Sequence, residues 1–98
     1  MNFNEKVWQV CRKIPKGKVS TYKEIAKRLK TKAYRAVGNA LNKNPYSPIV
    51  PCHRVVKSDG TVGGFAKGTR TKIRMLEKEG VRVRKNRIMG FKNLMFKF

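Results

Sequence analysis

Acidic residues are scarce in this chain. Five Asp+Glu stand against 25 Lys+Arg in 98 residues, a formal net charge of +20. So lopsided a balance excludes a self-neutralised charged surface and asks for a polyanionic partner; nucleic acid is the usual one. An anionic membrane surface and a ribosomal location are the rival explanations. Long apolar runs are also missing: none approaches the ~20 residues of a membrane-spanning helix. The start, "MNFNEKVWQV", has neither the apolar stretch nor the cleavage signal of a secretory leader. Two cysteines without framework spacing argue against a disulfide scaffold and for an intracellular setting. Histidine occurs once. A structural zinc site wants four Cys/His ligands, and Cys11, Cys52 and His53 are all there is. The expectation is no metal and no cofactor.

What is present fits one domain, residues 1–98, with a modest core: 40% of the residues are hydrophobic, and there are no repeats or low-complexity linkers. Residues 3–14 predict a first helix capped by Asn4, with Val7, Val10, Cys11 and Ile14 on its apolar stripe and Pro15 and Gly17 ending it. On that stripe Cys11 reads as a packed thiol. "STYKEIAKRL" predicts a second helix, with Thr21 and Glu24 as a capping box and Ile25, Ala26 and Leu29 buried. After a short polar break, "AYRAVGNALNKN" predicts a third. Ala33, Val37, Ala40 and Leu41 form its core face. Arg35, Gly38 and Asn42 fall on another face at i, i+3 and i+7. Two short helices with a tight break over about 20–43 predict a helix-turn-helix. Gly38 costs that helix about 1 kcal/mol against Ala. Close approach of a phosphate backbone and close helix–helix packing would each explain it.

The loop "NPYSP" leads into the apolar run "IVPCHRVV", residues 49–56. "KSDGTVGG" predicts a turn at Asp59-Gly60, hence a wing over about 55–66. A last helix spans about 69–79, with Thr69 as cap and Gly80 as stop. The tail, 81–98, alternates at Val81/Val83 and Leu94/Phe96/Phe98, which predicts a terminal strand pair on the core. The fold class is therefore mostly α with a small β wing.

Cys52 has two readings, a core thiol with a satisfied histidine beside it, or a nucleophile. A neighbouring imidazole can take the thiol proton, and nearby cations favour thiolate. Neighbours in extended chain point apart, so pairing Cys52 with His53 needs a bend at Pro51 or a bridging water. Glu79 supplies a second clue. It sits at a helix C-terminus, where the dipole disfavours a carboxylate. A Cys–His–Glu relay would give it a reason. No residue pattern announces an oxyanion hole. Displacement at a saturated carbon needs none. Beside a DNA-binding helix pair, such a thiol suggests removal of an alkyl group from a nucleic-acid base.

"PCHRV", preceded by "VSTYKEIA" and "RAVGNALNKNP" and followed by a Gly-rich turn and "LEKEG", resembles the O6-alkylguanine-DNA alkyltransferases, also called methylated-DNA–protein-cysteine methyltransferases. The match covers roughly residues 3–80. It implies the winged helix-turn-helix-like C-terminal domain of that family and DNA repair by direct reversal. In that chemistry an O6-alkylguanine is flipped out of duplex DNA, and its alkyl group passes once, irreversibly, to Cys52. His53 would act as base through a water, Glu79 would orient it, and Asn44 would brace the active-site turn. Tyr22 would give its proton to N3 of the leaving guanine. Arg35 would fill the gap left by the flipped nucleotide, with Tyr34, Gly38, Asn39 and Asn42 on the DNA side. Pro51 and Val55 would line the pocket, as would Phe65 and Ala66. Many members have a tyrosine followed by a small residue where this chain has Phe65-Ala66, so a hydroxyl that could bond guanine O6 is absent. Most members carry a further N-terminal domain, and this chain starts almost at its first helix. The non-transferring alkyltransferase-like proteins have tryptophan at the cysteine position, which Cys52 argues against. The implied partner is double-stranded DNA, bound by a monomer with no membrane involvement. The alternatives are a lesion-binding sensor that transfers nothing and a winged-helix DNA-binding protein with a structural cysteine.

Overall fold

A computed structural model describes all residues, Met1–Phe98. Helix α1 (Phe3–Cys11) is capped by Asn2, not Asn4. The Asn2 side chain accepts from Glu5 N–H at 2.8 Å, and Glu5 Oε1 accepts from Asn2 N–H at 3.1 Å. Two otherwise orphaned donors are satisfied at once, which a cap two residues later would forgo. Beyond Cys11 the chain tightens to i→i+3 bonds, which carry Ile14 into the core.

Strand β1 (Ser20–Thr21) runs into helix α2 (Tyr22–Arg28). Thr21 Oγ1 accepts from Glu24 N–H at 3.0 Å, so half of the expected box forms. Lys30 ends α2 with a φ of +57°, and the N–H of Thr31 reaches back to Ala26 C=O. This is a Schellman-type end with a lysine where glycine is favoured. Helix α3 (Tyr34–Asn42) buries Val37, Ala40 and Leu41. Ala33 is exposed at its cap position and does not join the core face, because the helix begins one residue later. Helices α1, α2 and α3 pack on one another, and Trp8 Nε1 donates to Ala40 C=O at 2.7 Å across the α1–α3 contact.

A single 3₁₀ turn, Cys52–Arg54, precedes strand β2 (Val55–Val56), which pairs in parallel with β1: Ser20 opposite Val55, Thr21 opposite Val56. The Asp59-Gly60 turn forms, closed by Lys57 N–H to Thr61 C=O at 2.9 Å. The wing's two arms do not pair further with each other. Instead Val62 N–H bonds Asn86 C=O, and Ile88 N–H bonds Gly60 C=O, so the second arm edges onto the hairpin of β3 (Val83–Arg84) and β4 (Arg87–Ile88). Lys85 and Asn86 both have positive φ in that hairpin's turn.

Helix α4 (Thr69–Lys78) starts from Gly68 at φ +95°, a conformation open to glycine, so Thr69 is its first residue and not its cap. It ends as expected: Gly80 has φ +89°, Gly80 N–H bonds Glu77 C=O, and Val81 N–H bonds Leu76 C=O. The tail departs from the expected strand pair. Its first half is the β3–β4 hairpin, and Phe91–Leu94 coil into a short helix, α5. Only then does the chain pair in parallel beside Val19, through Val19 N–H to Leu94 C=O and Phe96 N–H to Val19 C=O. Val19 offers both groups because β1 engages β2 only from Ser20. The core has two clusters. The larger joins α1, α2 and α3 with Val50, Cys52 and Val55; the smaller gathers Val19, Val56, Val62, Leu76, Val81 and Ile88. Each fully buried aliphatic side chain contributes about 1.5–3 kcal/mol. The boundary between the clusters falls between Val55 and Val56, one residue beyond the Cys52–Arg54 turn. No helix is long and apolar enough to cross a membrane.

Candidate functional site

Cys52 opens the 3₁₀ turn and retains 9% of its surface, so it lies at the edge of the core. The bend foreseen at Pro51 is this turn: Cys52 N–H bonds Val50 C=O and Arg54 N–H bonds Pro51 C=O, both at 2.9 Å. Asn44 holds the approach. Its Nδ2 donates to Val50 C=O at 2.8 Å, and its Oδ1 accepts from Tyr46 N–H at 2.8 Å. Pro51 and Val55 are buried on either side of the turn.

His53 is 2% exposed. Its Nε2 lies 3.1 Å from Glu79 Oε1, within ion-pair range, but the approach is oblique and neither ring nitrogen has a well-aligned hydrogen-bond partner. Burial lowers the imidazole pKa more than Glu79 raises it, so the ring is held neutral. Glu79 has a stronger partner that the sequence reading missed. Arg54 grips it in bidentate fashion, Nε to Oε1 at 2.9 Å and Nη2 to Oε2 at 2.5 Å, while Nη1 donates to Ile14 C=O at 2.7 Å. Burial works to raise the Glu79 carboxyl, but the Arg54 bonds and the His53 contact outweigh it and leave the pKa below its ordinary value. The signal available was a guanidinium inside an otherwise apolar run.

Tyr22, the first residue of α2, is half-buried, and burial raises its pKa, with the nearby Cys52 adding to the effect. Its hydroxyl lies 3.5 Å from Nζ of Lys72, a fully buried lysine that the sequence reading also missed. Lys72, Leu76 and Glu79 follow at i, i+4 and i+7, one helix face, and that spacing was the available signal. Cys11 is buried in the same cluster as Cys52, and desolvation pushes its thiol pKa far up, which leaves it protonated and inert. No group of three or more His, Cys, Asp or Glu side chains could hold a metal.

The outer face is different in kind. An open cleft of about 820 Å³ is lined by Tyr22, Tyr34, Arg35, Gly38, Asn42, Lys57, Gly63, Gly64 and Phe65. Tyr34, Arg35 and Asn42 are exposed, as is Asn39, which lies outside the cleft lining. Ala66 is exposed beside Phe65 and also stays outside it. A Cβ built on Gly38 meets nothing within 4 Å. Close helix packing therefore does not explain this glycine. Cys52, His53, Asn44 and Glu79 do not line the cleft; Tyr22 does.

The known family whose pattern this arrangement follows is the DNA-binding domain of 6-O-methylguanine DNA methyltransferase, whose family model matches residues 2–81. The chain belongs to this family. It is 51% identical over 82 residues to the methylated-DNA–protein-cysteine methyltransferase of Sulfolobus acidocaldarius, a match covering 84% of this chain and 52% of that protein. The chain thus spans about half the length of the curated relatives it matches. The fold agrees with that of Mycobacterium tuberculosis OGT in complex with DNA, at TM-score 0.77 and 40% identity, over 81% of this chain and 50% of that one. It also agrees with S. pombe Atl1 in complex with damaged DNA containing O6-carboxymethylguanine. There the TM-score is 0.85 and the identity 33%, over 98% of this chain and 95% of that one. The methyltransferase family and its mostly helical fold with small sheets are thereby established for the chain.

Proposed function

We propose that this chain repairs O6-alkylguanine in double-stranded DNA by taking the alkyl group onto Cys52, once per molecule. The observation that carries the reading is that Cys52 shares a turn with His53 and Arg54, which both meet Glu79, and also lies within electrostatic reach of Tyr22 and its buried partner Lys72. A merely structural thiol needs neither.

In this reading the +20 charge and the cleft bind duplex DNA, with Arg35 replacing the flipped base in the stack. Unstacking costs a few kcal/mol, offset by contacts in the pocket. Pro51, Val55, Phe65 and Ala66 surround the extruded guanine and its alkyl group. Neutral His53, backed by Glu79, takes the Cys52 proton through a water. The thiolate attacks the alkyl carbon, the C–O6 bond breaks, and Tyr22 gives its proton to N3 of the departing purine. Tyr34, Gly38, Asn39 and Asn42 contact the duplex. The protein acts as a monomer and needs no cofactor.

The test is the intact mass of the protein after mixing with a duplex carrying one O6-methylguanine. One methyl group on the Cys52 peptide and none elsewhere is the expected result. A second reading has one observation in its favour: the fold match to Atl1 covers 98% of this chain at TM-score 0.85, against 81% at 0.77 for OGT. Tight binding of the lesion duplex with no adduct would replace the repair reading with a lesion sensor. Equal binding of undamaged DNA of a preferred sequence would point to a winged-helix regulator.

A further inference from the structure

Lys72 is the one fully buried charged side chain in a protein with twenty-four other Lys and Arg residues. Burying an ammonium is expensive unless its three N–H donors all find acceptors. Here they do: Val62 C=O at 2.6 Å, Gly64 C=O at 3.1 Å and the Tyr22 hydroxyl at 3.5 Å. The two carbonyls come from the loop that carries Gly63. A Cβ on Gly63 would lie 3.5 Å from the Tyr22 hydroxyl, and its φ of +77° suits glycine. The loop therefore runs beside the Lys72–Tyr22 contact. A methionine of similar length would fill the space but leave the Val62 and Gly64 carbonyls without these donors, and neither carbonyl accounts for the contact with the Tyr22 hydroxyl.

We propose that Lys72 is the proton reservoir behind Tyr22, returning a proton to the phenolic oxygen as Tyr22 protonates the departing guanine. The inference rests on the repair reading above. The balance closes without an outside reagent. The Cys52 proton passes to His53, the S–C bond forms and the C–O6 bond breaks. The electron pair released on the purine takes the Tyr22 proton at N3, and a Lys72 proton moves to the tyrosine oxygen. One positive charge is gained at His53 and one is lost at Lys72, so the buried site keeps its net charge. The surroundings of Lys72 accept both of its states. As an ammonium it donates to all three acceptors. As a neutral amine it keeps two N–H groups for the two carbonyls and turns its lone pair to the Tyr22 O–H. Desolvation brings the Lys72 pKa down to about 8, the nearby Cys52 opposing it in part, so giving up the proton is easy near neutral pH.

The experiment compares wild type with Lys72→Arg and Lys72→Met in three measurements. These are the transfer rate from an O6-methylguanine duplex, the Kd for that duplex, and alkylation of Cys52 by iodoacetamide, whose iodide leaves without a proton. Arginine keeps the charge and the donors but does not surrender a proton. The expected result is transfer about 100-fold slower in both variants, with Kd and the iodoacetamide rate unchanged. Wild-type transfer by Lys72→Arg would overturn the relay, because charge alone would then suffice. An iodoacetamide rate that falls in step with transfer would also overturn it, by placing the action of Lys72 on the thiol. If Lys72→Met loses duplex binding through misfolding, Lys72→Arg decides alone. Absence of any adduct in the wild type sinks the repair reading itself, an outcome separate from failure of the relay.

Discussion

The exposed cleft and the buried polar cluster are built by opposite rules. On the cleft side, Arg35, Gly38 and Asn42 come from one helix, and the exposed Arg35 and Asn42 side chains make no hydrogen bond or ion pair that fixes them. The inner cluster, Tyr22, Cys52, His53, Arg54, Lys72 and Glu79, comes from three separate stretches of chain; hydrogen bonds at 2.5–3.5 Å join Arg54 to Glu79 and Lys72 to Tyr22 and Val62, and His53 lies 3.1 Å from Glu79. The outer face can change without unfolding the protein. The inner cluster cannot, because a buried charge that loses its partner is left desolvated. In the repair reading, binding and chemistry should thus be separable by mutation, with the largest effects in the inner cluster.

Cys52→Ala should abolish the methyl adduct outright while leaving affinity for the lesion duplex intact, as read by mass and by fluorescence anisotropy. Loss of affinity with the thiol would merge the two regions and break the comparison. Glu79→Gln comes next. It removes a charge-assisted bidentate bond to Arg54 and should lower stability by about 2 kcal/mol in urea unfolding. A stability equal to wild type would show that the Arg54–Glu79 pair is held by surface geometry alone.

Arg35→Ala should weaken lesion binding about tenfold, or ~1.4 kcal/mol. Its stability should stay within about 0.5 kcal/mol of wild type, since the side chain is exposed. Gly38→Ala is smaller and sharper. Because the new Cβ meets nothing within 4 Å, the helix should gain up to about 1 kcal/mol while duplex affinity falls. Opposite signs in the two assays are the result that matters; equal or improved binding would remove the outer-face explanation for this glycine.

The smallest effect concerns pH. His53 has a lower pKa folded than its ordinary 6.5, chiefly because it is buried. The unfolded chain therefore binds more protons in that window, and stability falls as pH drops through 6.5 toward the folded value. Glu79, also lowered, adds its own loss further down, as pH falls below its ordinary 4.5. His53→Gln should flatten the upper part of the melting-temperature profile and leave the lower part. A profile unchanged by the substitution would mean that the ring is not held neutral.

Much of the fold was legible from local pattern. The stripes of Val7/Val10/Cys11 and Val37/Ala40/Leu41, the stop at Gly80 and the turn at Asp59-Gly60 all follow from spacing and backbone preference over a few residues. The misplacements at Asn4, Thr69 and Ala33 are shifts of one or two residues, where several polar or small residues compete for the same helix start. The tail was harder. Its alternation was real, but its partners were Val19 and the 60–62 segment, and neither is near it in sequence.

By itself the sequence determined the chemistry on offer: one thiol beside the only imidazole, a misplaced carboxylate at Glu79, a helix face without bulk and an excess of positive charge. Those depend on residue type and on neighbours within a turn or two. Only the tertiary structure decided which charges were desolvated. Arg54 and Lys72 look like any other of the 25 cations until the fold withdraws them from water. In the interior a charge must be matched by named partners, and the partners of these two, Glu79 with Ile14 and Tyr22 with the 62–64 loop, lie 8–50 residues away along the chain.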